Sequence, residues 1–414
     1  GNGTQNDPYL IKTKAQFLAI RNNLSACYKQ TADIDLGDLG TLADNNAIIN
    51  GSFYGTYDGN GKSISYSVKF VGKNGSSSYG LFEEVSGTIK NLRITSSSAM
   101  LTGTGQDMNV GLICGLLRST GVITDCHVTG DINSTVTPID DSQELAGQAG
   151  SDAGLIAGQS LGEIKYSSGT GNVVGVGYAG GLVGQLNDRW WHYSEADNGK
   201  IIGCSFVGSV TALKPYGDVD IVNEAGNFAG GICGLATNGT ADPEISLSYA
   251  NATLESNGGE ARGLAYFTDG NGTISNIYVK GEVNGDNINT DSEITNIGNN
   301  HYNNTNHNSV EINTTLNDVV DSTNEANEKI YFSRETGEII LVFGRPSQDE
   351  DLGDDYIDNE DVLVSVCEPL QETITIERRR VSQSSSRYRF YASWSSNPED
   401  EWYWELKKDN GTLV

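Results

Sequence analysis

The chain has 414 residues and a formal net charge of −28, from 26 basic and 54 acidic side chains. So acidic a surface repels phosphate backbones and anionic bilayers, which excludes nucleic acid and membrane-surface partners. Only 19% of residues are charged while 51 are glycine, the composition of turn-rich β structure. The 37% apolar content is modest for a spherical core and suits a stack in which each layer buries a few residues.

No stretch is long and apolar enough to span a membrane, so no membrane-spanning segment is expected. No secretory leader is visible, and Gly1 reads as a trimmed N-terminus. The six cysteines are Cys27, Cys114, Cys126, Cys204, Cys233 and Cys367. None lies in a C-x-x-C pair, which argues against zinc, and they are too sparse for a disulfide scaffold. Buried free thiols are expected.

In chain order, Thr13-Lys14-Ala15-Gln16 has the form of a capping box with Gln16 at N3. Phe17, Ile20 and Leu24 then share a helical face, so a short helix ending near Asn23 or Leu24 is predicted. Its expected task is to plug the open end of a stack, where strand edges would otherwise be bare. The strand Ala32–Leu36 is expected to begin that stack. Asp58-Gly59-Asn60-Gly61 reads as a tight turn between Phe53–Tyr57 and Ser63–Tyr66.

An imperfect repeat follows. Gly80-Leu81-Phe82 precedes Gly87-Thr88-Ile89, and Gly111-Leu112-Ile113 precedes Gly121-Val122-Ile123. Further copies begin at Gly154-Leu155-Ile156, Gly181-Leu182-Val183, Gly231-Ile232-Cys233 and Gly263-Leu264-Ala265. Each offers two short apolar strands around a glycine-bearing turn, a unit that cannot bury its apolar face alone. Stacking such units at about 4.8 Å pairs every strand with its neighbours and makes one continuous core. The fold predicted is all-β: a right-handed single-stranded parallel β-helix over residues 31–285, behind an N-terminal cap with a short helix over 1–30. Leu92, Cys126, Cys204 and Ile277 fall at one repeat position, which Ser167 and Ser248 interrupt, and Cys114 falls next to the apolar ladder containing Phe82.

The fourth copy is interrupted. Its anchors Gly181 and Gly199 stand 18 residues apart, against 7 to 10 in the clear copies. The insertion carries Asn187-Asp188-Arg189-Trp190-Trp191-His192-Tyr193. Insertions in stacked repeats project from one face, often the binding face. Trp190, Trp191 and Tyr193 beside Asp188, Arg189 and His192 offer flat apolar platforms with polar edges, a chemistry suited to a sugar ring. The plainer alternative is that Trp190 or Trp191 packs the loop onto the stack. A loop over 137–150, with Asp140, Asp141 and Glu144, is placed on a neighbouring layer.

Beyond residue 285 the repeat ends. Residues 286–329 form an Asn/Asp/Thr-rich connection, and 330–414 read as a small antiparallel β domain or a C-terminal cap. Its predicted strands are Ile330–Ser333, Ile339–Phe343, Val362–Val366, Thr373–Arg379, Tyr388–Ser393 and Trp402–Leu406. The acidic run from Asp349 to Asp361 could take Ca²⁺ through Asp349, Asp351 and Asp354, but it lacks EF-hand spacing and reads first as a solvated loop. The four histidines, His127, His192, His301 and His307, show no catalytic or zinc spacing, so no catalytic residue and no other cofactor is assigned.

The opening Asp7-Pro8-Tyr9-Leu10-Ile11, the segment Thr31–Leu36, the run Phe53–Ile64 and the repeat Gly80–Ile94 together resemble bacterial surface proteins carrying GLUG-type repeats, often from Bacteroides. The resemblance covers residues 7–285. It implies a surface or secreted adhesin, at the cell surface or outside the cell, with attachment through an N-terminal lipid as one form. Some members carry a metallopeptidase domain, but this chain has no H-E-x-x-H. The leading expectation is a non-enzymatic protein binding a host or dietary glycan, or a host or bacterial surface protein. Two alternatives stand beside it: a carbohydrate-active lyase or glycosidase, which needs a pair of carboxyls at a suitable separation, and a spacer presenting residues 330–414.

Overall fold

The computed structural model describes residues 1–43, 46–73, 77–105, 108–137, 150–187, 197–214, 227–237, 241–257, 259–267, 272–284 and 286–287. It also describes the backbone of 328–332, 339–344, 361–366, 374–380, 388–394 and 402–406. The chain divides into two compact units, Gly1–Val320 and Asp321–Val414. Both are built from β-strands, parallel almost throughout the first.

In the first unit each repeat passes through four strand positions. In one repeat these are Ser77–Tyr79, Phe82–Val85, Thr88–Lys90 and Arg93–Thr104; in the next, Met108–Val110, Cys114–Leu117, Val122–Thr124 and His127–Ser134. Each strand pairs in parallel with its counterpart in the following repeat, so the strands form four columns, numbered here in that order. Among the described residues, column 2 is a seven-stranded sheet, and columns 1, 3 and 4 belong to a 21-stranded one.

Parallel registry puts like residues on like. Column 3 carries the ladder Tyr28, Tyr57, Ile89, Ile123, Ile164, Ile201, Ile245 and Ile274. Every member is buried. Burying one such side chain contributes about 1.5–3 kcal/mol. The first position of column 2 holds Phe82, Cys114, Ala157, Val183 and Cys233 in one ladder, all fully buried. Cys114 therefore stands in the Phe82 ladder itself and not beside it.

The corner between columns 3 and 4 explains the interrupted cysteine position. Cys126 and Cys204 donate to the carbonyls two residues back, Thr124 at 3.3 Å and Ile202 at 3.4 Å. Ser167 and Ser248 do the same to Lys165 and Ser246, both at 2.7 Å. Each serine hydroxyl also accepts the backbone N–H of the adjacent cysteine, Cys126 or Cys204, at 3.1 Å. Thiol and hydroxyl alternate in one structural role, so the ladder is continuous. Cys114, Cys126, Cys204 and Cys233 are buried free thiols, and Cys27 is half-exposed. Burial pushes the Cys126 thiol up to about 12, and raises those of Cys114 and Cys233 as well.

A glycine sets how closely columns 1 and 2 approach. After column 1 the chain reverses over two residues and column 2 folds back. The second residue of column 2 is Gly115, Gly158, Gly184 and Gly234 in successive repeats. A Cβ at any of them would collide with the column 1 strand of the preceding repeat, at the backbone nitrogens of Tyr79, Val110, Ala153 and Ala179 respectively. Among the described residues the repeat preceding Phe82–Val85 has no column 1 strand, and there the same position holds Glu83.

The N-terminal end is closed by aromatic packing. A helix runs over Lys14–Leu18 and continues as a 3₁₀ turn over Ala19–Asn22. Phe17 and Ile20 are completely buried, with the Phe17 ring 5.8 Å from Tyr57 and 6.1 Å from Phe82. Thr13 accepts from the Gln16 N–H as a capping box requires, but the Gln16 side chain reaches the N–H of Lys12 and not that of Thr13.

Two local expectations are corrected. The stack opens before Ala32, because Tyr9–Ile11 already pairs with Cys27–Gln30. Asp58–Gly61 is a corner and not a hairpin: Asn60 and Gly61 adopt left-handed conformations. The flanking strands pair with neighbouring repeats instead of with each other, Thr56–Asp58 with Thr88–Lys90 and Ser63–Lys73 with Arg93–Thr104. In the second unit, Glu328–Phe332, Ile339–Gly344 and Asp361–Val366 form one antiparallel sheet, and Ile374–Arg380, Tyr388–Trp394 and Trp402–Leu406 another.

Gly158→Ala forces backbone apart along two columns and is expected to cost about 3 kcal/mol or more, read as a fall in the denaturation midpoint. In a Cys27→Ser/Cys367→Ser background, no thiol should react with an aromatic disulfide reagent under native conditions, and four should react in guanidinium. Fast native labelling would contradict the burial described.

Candidate functional site

The entry to column 1 and the exit from column 2 lie on the same side of the folded-back pair. Three segments interrupt the repeat there. Residues 138–149 and 215–226 precede column 1, and 188–196 follow column 2. They lie outside the described residues, but the residues that root them are described.

The second interruption is rooted on Asn187, which is completely buried and left-handed, with φ of 66°. Its Oδ1 accepts the Gly199 N–H at 2.8 Å, across the gap, and its Nδ2 donates to the Ala241 carbonyl at 2.9 Å. Its own carbonyl accepts from Gln185 Nε2 at 2.9 Å and Gln159 Nε2 at 3.3 Å. Parallel pairing resumes where Asn198 donates to Leu161 and Lys200 to Gly162. The third interruption ends on Asn227, 3% exposed, whose Nδ2 donates to the carbonyls of Ala212 and Asn257 at 3.0 Å and to Ser256 Oγ at 2.9 Å. The first is followed by Ser151, whose Oγ accepts from Ser134 Oγ at 2.7 Å and from the Val176 N–H at 3.0 Å. A buried polar side chain thus meets the backbone groups left open at each break, as a buried chain requires.

Between these roots runs a buried polar row. The middle position of column 1 holds Ser78, Asn109 and Asp152 in one ladder, followed by Tyr178 and Phe228. The third position of column 2 holds Gln159 and Gln185. All seven are buried. Further along, the Tyr178, Phe228 and Tyr266 rings stack with centroids 5.6 and 3.8 Å apart.

The six residues predicted to bind a ligand, Asp188, Arg189, Trp190, Trp191, His192 and Tyr193, all fall in 188–196 and lie outside the described residues. So do Asp140, Asp141, Glu144, His301, His307 and the acidic run with Asp349, Asp351 and Asp354. Sequence reasoning missed Asn227 and Ser151, and it placed Asn187 in the insertion and not as its buried root. Two signals were available: an Asn or Ser at the edge of each interruption, and the successive Gly-Gln pairs Gly158-Gln159 and Gly184-Gln185.

His127 is half-buried, with Nδ1 2.8 Å from Ser168 Oγ. Burial, then Arg93, lowers its pKa against the opposing pull of Asp125. Charged groups pair within a strand and between adjacent repeats. Arg118 holds Glu84 through two bonds, at 2.8 and 3.1 Å. Lys165 sits 2.7 Å from Glu163, and Lys200 sits 3.9 Å from Glu244. Burial raises the Glu163 pKa, but Lys165, Lys200 and Asn198 outweigh it and the net shift is downward. Among the described residues, no three His, Cys, Asp or Glu side chains converge as a metal site, and no helix is long and apolar enough to cross a membrane.

No family model matches the chain, and no curated protein matches it. Among solved structures, it is similar to a crystal structure described as a putative immunoglobulin A1 protease from Bacteroides ovatus. The two are 20% identical, over 73% of this chain and 85% of that one, with a TM-score of 0.48.

Asn187→Gly keeps the left-handed backbone and removes the side-chain clasp. It is expected to cost about 1–3 kcal/mol, from the buried partners it strands, and to speed proteolytic nicking within 188–196. An unchanged cleavage rate would show that Asn187 does not root the segment.

Proposed function

We propose that this chain is a non-enzymatic bacterial surface or secreted protein of the GLUG-repeat type, used for adhesion or glycan binding. The parallel columns of the first unit are read as a right-handed β-helix, since strand–crossover–strand connections between parallel strands are right-handed in about 98% of cases. Residues 330–414, which follow it in the chain, are read as a small antiparallel β domain.

One observation carries the functional reading. The repeat closes tightly at the exit from column 2 in the earlier layers, where Leu117 is followed by Arg118–Gly121 and Ser160 by Leu161-Gly162. At Leu186 it opens instead for a segment holding Trp190, Trp191 and Tyr193, and the buried Asn187 clasp supports that opening. A rigid stack presenting an aromatic, polar-edged loop is the arrangement that sugar recognition uses. The partner class is a host or dietary glycan, or a host or bacterial surface protein.

A glycan array probed with the wild type and with a Trp190→Ala/Trp191→Ala variant tests the reading. The wild type should bind a restricted set of glycans and the variant should lose that binding. Equal binding by both, or none by either, rejects the aromatic loop as the site.

A further inference from the structure

We propose that tandem bulges in the strand Ile34–Leu42 guard the N-terminal end of column 4, keeping a second copy of this chain from pairing with it edge to edge. Among the described residues this nine-residue strand is the outermost of its column, and it pairs with Ser63–Lys73 alone. The outermost strand of column 3, Tyr9–Ile11, has three residues. A long outer strand is a ready template for another chain, and two copies can join through the same edge about a two-fold axis. The end is also apolar. Of the four large apolar side chains exposed among the described residues, Tyr9, Leu10 and Tyr54 belong to the first layers.

The sequence shows how the edge is blunted. Asp35-Leu36-Gly37-Asp38-Leu39-Gly40 repeats with a period of three, whereas a strand turns alternate residues to one face. From Ile34 to Leu42 the outer strand takes eight steps, against six from Ile64 to Phe70 opposite. It therefore carries two extra residues, one at each register shift, and a bulge of this kind bends an edge and interrupts its ladder. Gly37 and Gly40 are left-handed, with φ of 66° and 65°. A Cβ at either would meet nothing within 4 Å, so backbone conformation and not crowding calls for glycine. Groups that a partner strand would need are already taken. Asp35 Oδ1 accepts the Gly37 N–H and Asp38 Oδ1 the Gly40 N–H, both at 2.8 Å. Lys14 Nζ, on the capping helix, donates to the Leu36 carbonyl. Without the two glycines the run would read Ile34, Asp35, Leu36, Asp38, Leu39, Thr41, Leu42, a strict alternation of apolar and polar. Asp35, Asp38 and Thr41 would keep the partners they have, Ser65, Ser67 and Lys69. The glycines alone separate this run from a regular strand with an open edge.

The full chain with Gly37 and Gly40 both deleted is compared with the wild type by size-exclusion chromatography with light scattering, over a wide range of concentration. A thermal melt confirms that each is folded. The variant should double its mass relative to the wild type as concentration rises, and return to the wild-type mass on dilution. Deleting Gly40 alone leaves one bulge and should give weaker association of the same kind; it decides the matter if the double deletion does not fold. Folded variants with the wild-type mass throughout, or open-ended aggregates that do not dissolve on dilution, overturn the proposal. So does failure of both deletions to fold, since the bulges would then serve the first layer itself.

Discussion

The close approach of columns 1 and 2 is the constraint on which the first unit depends. The two columns settle backbone on backbone, and in four successive repeats a Cβ at the contact would collide with the strand beneath, while the repeat after them carries Ala265 there. Glycine at 115, 158, 184 and 234 meets that demand. Once the two columns touch, the reversal needs no further residues, and the apolar side chains at its ends are turned together into the core. The buried positions of columns 3 and 4 then follow by registry. Glu83 shows the contact from the other side, since the position is free of glycine where the described residues of the preceding repeat hold no column 1 strand.

Chemical substitution along the ladders is narrower than the sequence implies at first sight. Cysteine and serine look like a break in an apolar position. At the corner they are equivalents, because each donates back to a carbonyl two residues earlier and fills the same small volume. Hydrophobicity alone separates the two residues; local hydrogen bonding unites them. The same logic governs the interruptions. Where the parallel pairing stops, Asn187, Asn227 and Ser151 take over the backbone groups that a neighbouring strand would have satisfied.

The parallel stacking was legible because its signal is periodic. Glycine followed by Leu or Ile, then a second Gly-x-Ile, marks the reversal and column 3 in every copy but the fifth, which has Pro243-Glu244-Ile245, and Ile89, Ile123, Ile164, Ile201, Ile245 and Ile274 fall into one ladder as the periodicity requires. What escaped was pairing between elements near in sequence. Asp58–Gly61 has the composition of a hairpin turn, and local rules cannot see that a distant repeat offers each flanking strand a better partner. The earlier start at Tyr9–Ile11 was missed for a related reason: three residues carry too little pattern to be recognised without the strand they pair with. The candidate site was legible only as an interruption. Its roots are single polar residues whose meaning comes entirely from burial, and burial at Asn187 or Asn227 depends on repeats that follow dozens of residues later.

The N-terminal end of the stack and its interior are not alike, and this bears on how such a protein can change length. An interior layer meets its neighbours through the same registers above and below. Excising the stretch from Val122 to Leu161 would set Ile89 opposite Ile164 and Cys114 opposite Val183, pairings of the kind already present. The N-terminal plug has no such freedom, because Phe17 fits between Tyr57 and Phe82 and no later repeat supplies that pair of rings. Gain and loss of layers is therefore a change for the middle of the stack, which lengthens while its plugged base stays fixed.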